Sequence, residues 1–347
     1  MAVKRKTIGI VYNEPVLTGH PFSEASLDVL AQVEAVEASL GNIGISSVRI
    51  PFTKDVGLFV QRVDKEGIGM IFNLCETVDD DPRFAGHPAS VMELTGIPFS
   101  GSPSIALMIT ADKLLTKRLL KSKGIKTPRY LFYDNVTSFF PHTLNYPVIV
   151  KPRFQEASIG IDQNSVFADE DQLQKGLPEF YERFGPFLVE EYIDGREFNV
   201  SLLGYPLGRA LPIAEIDFSN FPESLYPIVG YRAKWDIESF EYHNTPRRFP
   251  ERLPNDLMSK MERVALDCFR VFMLRDYGRI DIRVNSKGKI YVLEVNANPC
   301  LSPDAGFAAA IDKDGMTYFD FIKDLLEFMT ERASRYGYKT PCLSGHT

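Results

Sequence analysis

The stretch 278–299 reads GRIDIRVNSKGKIYVLEVNANP, and its alternation decides how the rest of the chain is understood. In Arg279-Ile280-Asp281-Ile282-Arg283-Val284 charged and aliphatic residues take turns, the period of an extended strand with one face buried. The run 290–295 repeats the pattern, and Asn285-Ser286-Lys287-Gly288 between the two is a hairpin turn signal. On the second strand Glu294 and Asn296 share a face, with Leu293 and Val295 opposite. Pairing Val284 with Lys289 places Arg279 across from Glu294 and makes Asp281 its diagonal neighbour, roughly 5 to 8 Å away. Two carboxylates and an amide oxygen at that separation are hard ligands of the kind Mg²⁺ takes together with phosphate oxygens. Arg279 beside them is placed to neutralise a phosphoryl group in transfer. An exposed hairpin face carrying ordinary ion pairs is the competing reading.

Two segments upstream bear on that choice. The loop Lys151-Pro152-Arg153-Phe154-Gln155-Glu156-Ala157-Ser158-Ile159-Gly160 leaves a strand ending in lysine and offers small residues, the Ser158 hydroxyl and backbone N–H groups, a combination able to fold over phosphates. It lacks the Walker pattern, and alone it reads equally as a surface loop. The strand 187–189 leads into Glu190-Glu191-Tyr192-Ile193-Asp194-Gly195-Arg196-Glu197, where a tight turn presents backbone groups to an adenine edge and Glu197 takes ribose hydroxyls. A solvated acidic hairpin competes there.

Further out, 110–124 (TADKLLTKRLLKSKG) sets Leu114, Leu115, Leu119 and Leu120 on one stripe with basic residues opposite and a closing glycine, which predicts one helix. In the first hundred or so residues 7–12, 47–50 and 70–74 read as strands, and Ser23 caps a helix over 24–40. This βαβ rhythm predicts a parallel sheet with helices on its faces. No G-x-G-x-x-G follows the first strand, which removes a dinucleotide-dependent dehydrogenase. Helices are expected over 170–184 and 257–272 and again from Pro303 and Thr317, with a fraying tail from Ser334.

Composition sets the outer limits. The 347 residues are 44% hydrophobic and 24% charged, an ordinary globular balance with ample chain for a core. The net charge of −7 gives no general attraction to nucleic acid or to anionic membrane. No run approaches the roughly 20 apolar residues of a membrane span, and the apolar stretch after MAVKRK is too short for a signal segment. Cys75, Cys268, Cys300 and Cys342 form no C-x-x-C pair, so neither a zinc site nor a disulfide framework is expected, and four free thiols suit the cytoplasm. The five histidines are scattered, and none is placed to act as a base for Cys300 or Cys75, which read as packing residues.

Taken in order, the passages 97–128, 147–161, 187–204 and 278–299 resemble the ATP-grasp superfamily, and within it the D-alanine–D-alanine ligases. The resemblance runs from about residue 5 to residue 330. It implies an α/β and α+β chain of three domains: an N-terminal Rossmann-like parallel-sheet domain (1–105), a central subdomain (106–186) and a C-terminal subdomain (187–333), the last two clasping ATP, with a flexible tail over 334–347. By position it makes Lys113 and Lys151 phosphate-contacting lysines and Ser158 the lid residue at the γ-phosphate. Glu190, Glu191, Tyr192 and Ile193 fall along the adenine edge and Glu197 at the ribose. Asp281, Glu294 and Asn296 become ligands of Mg²⁺ (or Mn²⁺ in its place), and Arg279 faces the transferred phosphoryl. Lys234, within Tyr231-Arg232-Ala233-Lys234-Trp235, falls in the substrate region, and Glu24 at the ammonium of the first substrate. The implied reaction joins a small-molecule carboxylate to an amine through an acyl phosphate, with a homodimer formed through the N-terminal region.

The pattern breaks in two places. The family's HG-x-x-GEDG segment is replaced by 73–87 (NLCETVDDDPRFAGH), and after Asn298-Pro299 the chain has Cys300-Leu301-Ser302-Pro303-Asp304-Ala305-Gly306 instead of a glycine and hydroxyls. Asp304 repels a carboxylate, which argues against D-alanyl-D-alanine as product. The acidic residues of 76–81 and Asp304 then either recognise an amine-bearing substrate or form a solvated turn and a helix cap. Arg247 and Arg248 (TPRRFP) read as a solvated loop, with binding of a second carboxylate as the alternative. A ligase for a non-amino-acid carboxylate and a catalytically silent ATP-binding regulator remain the competing functions.

Overall fold

The computed structural model describes residues 7–15, 23–135 and 143–336; the basic residues 1–6, Cys342 and the tail beyond 336 lie outside them. Three sheets follow one another along the chain. The first is parallel, β1 (Thr7–Asn13), β2 (Ser47–Phe52) and β3 (Ile68–Asn73) in the order β2-β1-β3, as the βαβ rhythm predicts. The second, antiparallel, contains β4 (Tyr130–Tyr133), β5 (Val148–Pro152), β6 (Val166–Phe167) and β7 (Phe187–Glu191) in the order β4-β7-β5-β6. The third, also antiparallel, is built from β8 (Arg196–Gly204), β9 (Arg209–Ala210), β10 (Ala214–Ile216), β11 (Arg247–Arg248), β12 (Asp276–Val284) and β13 (Ile290–Asn296). Its order is β11-β10-β8-β12-β13, with β9 on β8. Because β7 hydrogen-bonds to β4 and β5, the middle sheet runs to Glu191, past the boundary expected at 186.

One face of the parallel sheet packs on the first helix, Ser23–Asn42, and on the last, Tyr318–Tyr336. Ile8, Ile10, Met70 and Phe72 meet Val29, Val33 and Val36 from one and Phe321, Ile322, Leu325 and Met329 from the other. The chain's end is thereby folded back on its beginning, and the helix continues through Ser334, where fraying was expected. Asp276 fastens the same junction. It is fully buried, adopts φ +66°, and accepts from Arg332 Nη1 (2.7 Å) and Nη2 (3.1 Å) and from the Gly101 amide (2.9 Å). The last helix, the third sheet and the loop after the parallel sheet meet on this one carboxylate.

The helix expected over 110–124 is two helices, Ser104–Ala111 and Lys113–Ser122. Asp112 between them is extended (φ −101°, ψ 102°), because its carboxylate caps the second helix through Leu114 N (2.9 Å) and Leu115 N (3.3 Å) while receiving Arg153 Nη2 at 2.6 Å. The break places Lys113 on the first turn of the second helix, at the edge of the cleft. Arg247 and Arg248, expected in a loop, form the edge strand β11.

Truncating Arg332 to methionine leaves the buried Asp276 charge unpaired. A loss of about 3–5 kcal/mol is expected, seen as a lower urea midpoint than that of the wild-type chain.

Candidate active site

The hairpin exists, with a different register. Val284 pairs with Ile290, Asp281 lies directly across from Glu294, and Arg279 lies across from Asn296. The cause is a β-bulge: Ile282 pairs with Val292 and Asp281 with Glu294, so Leu293 is an extra residue without an opposite number. An unbroken strand would put Glu294 on the same face as Val292, against the core. The bulge resets the alternation, so Val292 and Val295 are both buried while Glu294 and Asn296 line the cleft. Leu293, expected on the core side, lines the cleft as well.

This cleft, about 600 Å³, runs between the middle sheet and the third sheet, with residues of the first helix and of 76 closing one end. On its floor Arg279 grips Asp281 with two hydrogen bonds (Nε to Oδ1 2.8 Å, Nη2 to Oδ2 3.0 Å). Asn199 (2.7 Å) and Asn296 (3.0 Å) donate their amide nitrogens to the same carboxylate. Lys113 lies 3.4 Å from Glu294 and also donates to the Gln155 carbonyl of the loop. Burial alone would push the Glu294 carboxyl up, but Lys113, Lys234, Lys151 and Arg279 outweigh it and hold it down at about 2. Carboxylates on neighbouring strands are the donor set an oxygen-liganded dication takes. Among the described residues no group of three His, Cys, Asp or Glu converges, so Asn296 would have to serve as the third ligand.

The far end is closed by buried ion pairs. Glu190, 1% exposed, shares Oε2 between Lys117 (3.0 Å) and Lys151 (3.4 Å). Burial would raise it, yet the two lysines hold it below the ordinary carboxylate range. Its Oε1 is buried and accepts no hydrogen bond from the described residues. Glu197 is clasped by Arg283 through Nε (3.0 Å) and Nη2 (2.8 Å), and Arg283 also donates to the Ile193 carbonyl at 2.9 Å. Glu191 accepts from the Asn145 backbone and side-chain nitrogens, both at 2.9 Å, and Tyr192 and Ile193 complete the lining.

Over the cleft lies the loop after β5. Ala157 (φ +53°) and Ser158 (φ +62°) are both left-handed, a conformation that costs non-glycine residues and concentrates at functional sites. Ser158 Oγ donates to the Val229 carbonyl (2.8 Å) and Trp235 Nε1 to the Ala157 carbonyl (3.0 Å), so the loop rests on the segment that carries Lys234. Lys234 itself lines the cleft, within electrostatic reach of Glu76 and Glu294. Burial pushes Glu156 on this loop up to about 8.

Glu24 is exposed at the start of the first helix and is not among the cleft-lining residues; Asp28, one turn further on, is. The amide of the buried Gln32 bridges Asp28 (3.4 Å) and Glu76 (3.0 Å), and Gln32 Oε1 accepts from the Leu301 amide (3.0 Å). Cys300 Sγ (2.9 Å) and Ser302 Oγ (3.1 Å) also donate to Asp28. Burial first, then the like charge of Asp28, lifts Glu76 to about 7. Of the acidic run, only Glu76 faces the cleft. Asp79 pairs with Lys54 (2.9 Å), Asp80 accepts from Ser26 (3.0 Å), and Asp81 pairs with Arg83 (2.6 Å). Asp304 lines the cleft and caps nothing, since the next helix starts at Gly306 behind Ala305. Arg247 lines the cleft too, while Arg248 turns away to Asp217 (2.6 Å). Sequence reasoning missed Asp28, Gln32, Lys117 and Asn199. The only signals for them were polar residues set within otherwise amphipathic elements.

Two antiparallel sheets closing on a cleft, with lysines and a lid on one wall and an arginine–carboxylate face on the other, define the ATP-grasp fold. A D-alanine–D-alanine ligase from Bacillus anthracis, solved with ATP, superposes with a TM-score of 0.74 at 21% identity, covering 96% of this chain and all of that one. Residues 119–327 match the family model described as D-ala D-ala ligase C-terminus. Two relatives are 31% identical: the y4sG protein of Sinorhizobium fredii, over 76% of this chain and 75% of that one, and a D-alanine–D-alanine ligase of Cupriavidus metallidurans, over 71% and 72%. The chain belongs to the D-alanine–D-alanine ligase family and is an ATP-dependent, ADP-forming ligase that joins a carboxylate to an amine.

Because Glu294 sits below its ordinary 4.5, its ionised form stabilises the fold above that value, and the contribution fades as pH falls through about 2. Glu294→Gln is therefore expected to lower the urea midpoint near neutral pH, with the gap to wild type narrowing across the acid range.

Proposed function

We propose that the chain binds Mg·ATP in this cleft, phosphorylates an amine-bearing carboxylate and passes the acyl phosphate to a second amine. The observation that carries the reading is the direct pairing of Asp281 with Glu294 beside Arg279, Lys113 and Lys151. Asp281, Glu294 and Asn296 would hold the metal, which supplies charge neutralisation between phosphate oxygens. Arg279 stabilises charge on the transferring phosphoryl group, and Lys113 and Lys151 fix the remaining phosphates. Glu190 Oε1 accepts from the adenine amine, and Glu197, held by Arg283, accepts from the ribose. The loop bearing Ser158 closes over the phosphates and keeps water from the acyl phosphate.

The substrate end differs from the sequence expectation. We assign the ammonium of the carboxylate substrate to Asp28 and Glu76, which face the cleft across the Gln32 amide, in place of Glu24. Lys234 neutralises the substrate carboxylate before transfer. Asp304 next to Arg247 makes this end mixed in charge, in keeping with a substrate that carries both signs.

The test is ADP release across a matrix of amino acids and amines. Turnover is expected with pairs whose carboxylate substrate carries an amine, and equally efficient turnover of carboxylates that lack the amine would overturn the substrate assignment. Arg279→Ala should lower kcat by roughly a hundredfold or more, whereas Asp28→Asn should raise KM for the carboxylate substrate and leave KM for ATP unchanged. Trp235 is the only tryptophan and contacts the loop, so a change in its emission on ATP addition is expected.

A further inference from the structure

Lys117 reads in sequence as one more basic residue on the outer stripe of a helix, yet it is 1% exposed. An ammonium has three donors, and here each has an acceptor: Thr127 Oγ1 at 2.8 Å, Glu190 Oε2 at 3.0 Å and the Leu293 carbonyl at 3.0 Å. These belong to three separate pieces: the segment leading into β4, strand β7 of the middle sheet, and the bulge of β13. The same segment touches the bulge a second time, since the Val292 amide donates to the Lys126 carbonyl at 2.8 Å.

Each contact fixes something the cleft uses. By holding Oε2, Lys117 sets the rotation of the Glu190 carboxylate and so the direction of its unpartnered Oε1, on a residue that lines the cleft. By holding the Leu293 carbonyl, it satisfies a backbone group that the bulge takes out of the ladder. That bulge is what turns Glu294 off the core face. Burial lowers the Lys117 ammonium and Glu190 partly offsets that, leaving it at about 8, so the three protons the geometry uses are present at neutral pH.

We propose that Lys117 is a positioning residue that couples the base end of the cleft to its metal face: one buried ammonium aims Glu190 at the nucleotide base and keeps Glu294 in register with Asp281. The inference rests on the nucleotide assignment above. Through this coupling, a base that fails to engage Glu190 disturbs the site of phosphoryl transfer as well as binding weakly.

The full-length Lys117→Met variant, similar in length and without donors, tests it. Loss of hydrogen bonds to a charged group is expected to raise KM for ATP and the Mg²⁺ concentration for half-maximal rate together, each by roughly tenfold. The preference for ATP over GTP, which lacks the exocyclic amine at that position, should narrow. A non-hydrolysable ATP analogue titrated against Trp235 emission should show the same loss without turnover. If the variant keeps the wild-type KM values, Mg²⁺ dependence and ATP/GTP ratio while only its unfolding midpoint falls, the residue is a structural strut and the proposal is wrong. Should Lys117→Met not fold, Thr127→Val removes a single acceptor and should shift the same constants in the same direction by a smaller factor; constants equal to wild type would overturn the proposal. Failure of the wild-type chain to bind ATP would remove the cleft assignment and this inference together, whereas wild-type binding with unaltered variant constants removes the inference alone.

Discussion

Everything at the floor of the cleft depends on one extra residue. β12 is a regular strand whose odd-numbered positions 279, 281 and 283 face the cleft, but β13 reaches the same result only because Leu293 interrupts its alternation. Val292 and Val295 both have to be buried, and they are an odd number of residues apart, which no flat strand allows. The bulge resolves that conflict and seats Glu294 opposite Asp281. Strand bulges recur beside active sites for this reason: they re-aim a side chain without disturbing the packing on either side.

The charge pattern of the cleft follows from the same economy. Glu190 with Lys117, Glu197 with Arg283, and Asp281 with Arg279 are pairs in which the anion is held in place by a buried or half-buried cation. Such pairs contribute little net stability, because desolvation consumes most of the attraction. What they provide is orientation. The carboxylates enter the cleft already aligned, so ligand binding need not reorganise them.

Much of this was legible in the sequence, and the misses have identifiable physical causes. The parallel sheet announced itself through short apolar runs alternating with an amphipathic helix, and the hairpin through period-two alternation and its turn residues. The register did not, since a bulge leaves no local mark and the turn alone suggested pairing Val284 with Lys289. The break at Asp112 was hidden because its cause, Arg153, lies 41 residues away. Lys117 was hidden by its type: a lysine on an amphipathic helix belongs on the wet face unless three acceptors wait for it. Asp28 was passed over for Glu24 because residues four apart share one helix face, and only the packing of the helix against the sheet decides which turn of that face reaches the cleft.

The two stretches where the chain departs from its family are physically one object. Asn298 links them, accepting from Tyr277 Oη (2.9 Å) and donating to the Cys75 carbonyl (3.1 Å), while Gln32 ties Glu76 to Leu301. Exchanging either stretch alone for its counterpart in a relative would strand the partners of the other. If this end of the cleft takes the substrate as proposed, its specificity is inherited as a block, and replacement of 75–76 and 298–302 has to be concerted with that of the inward face of the first helix.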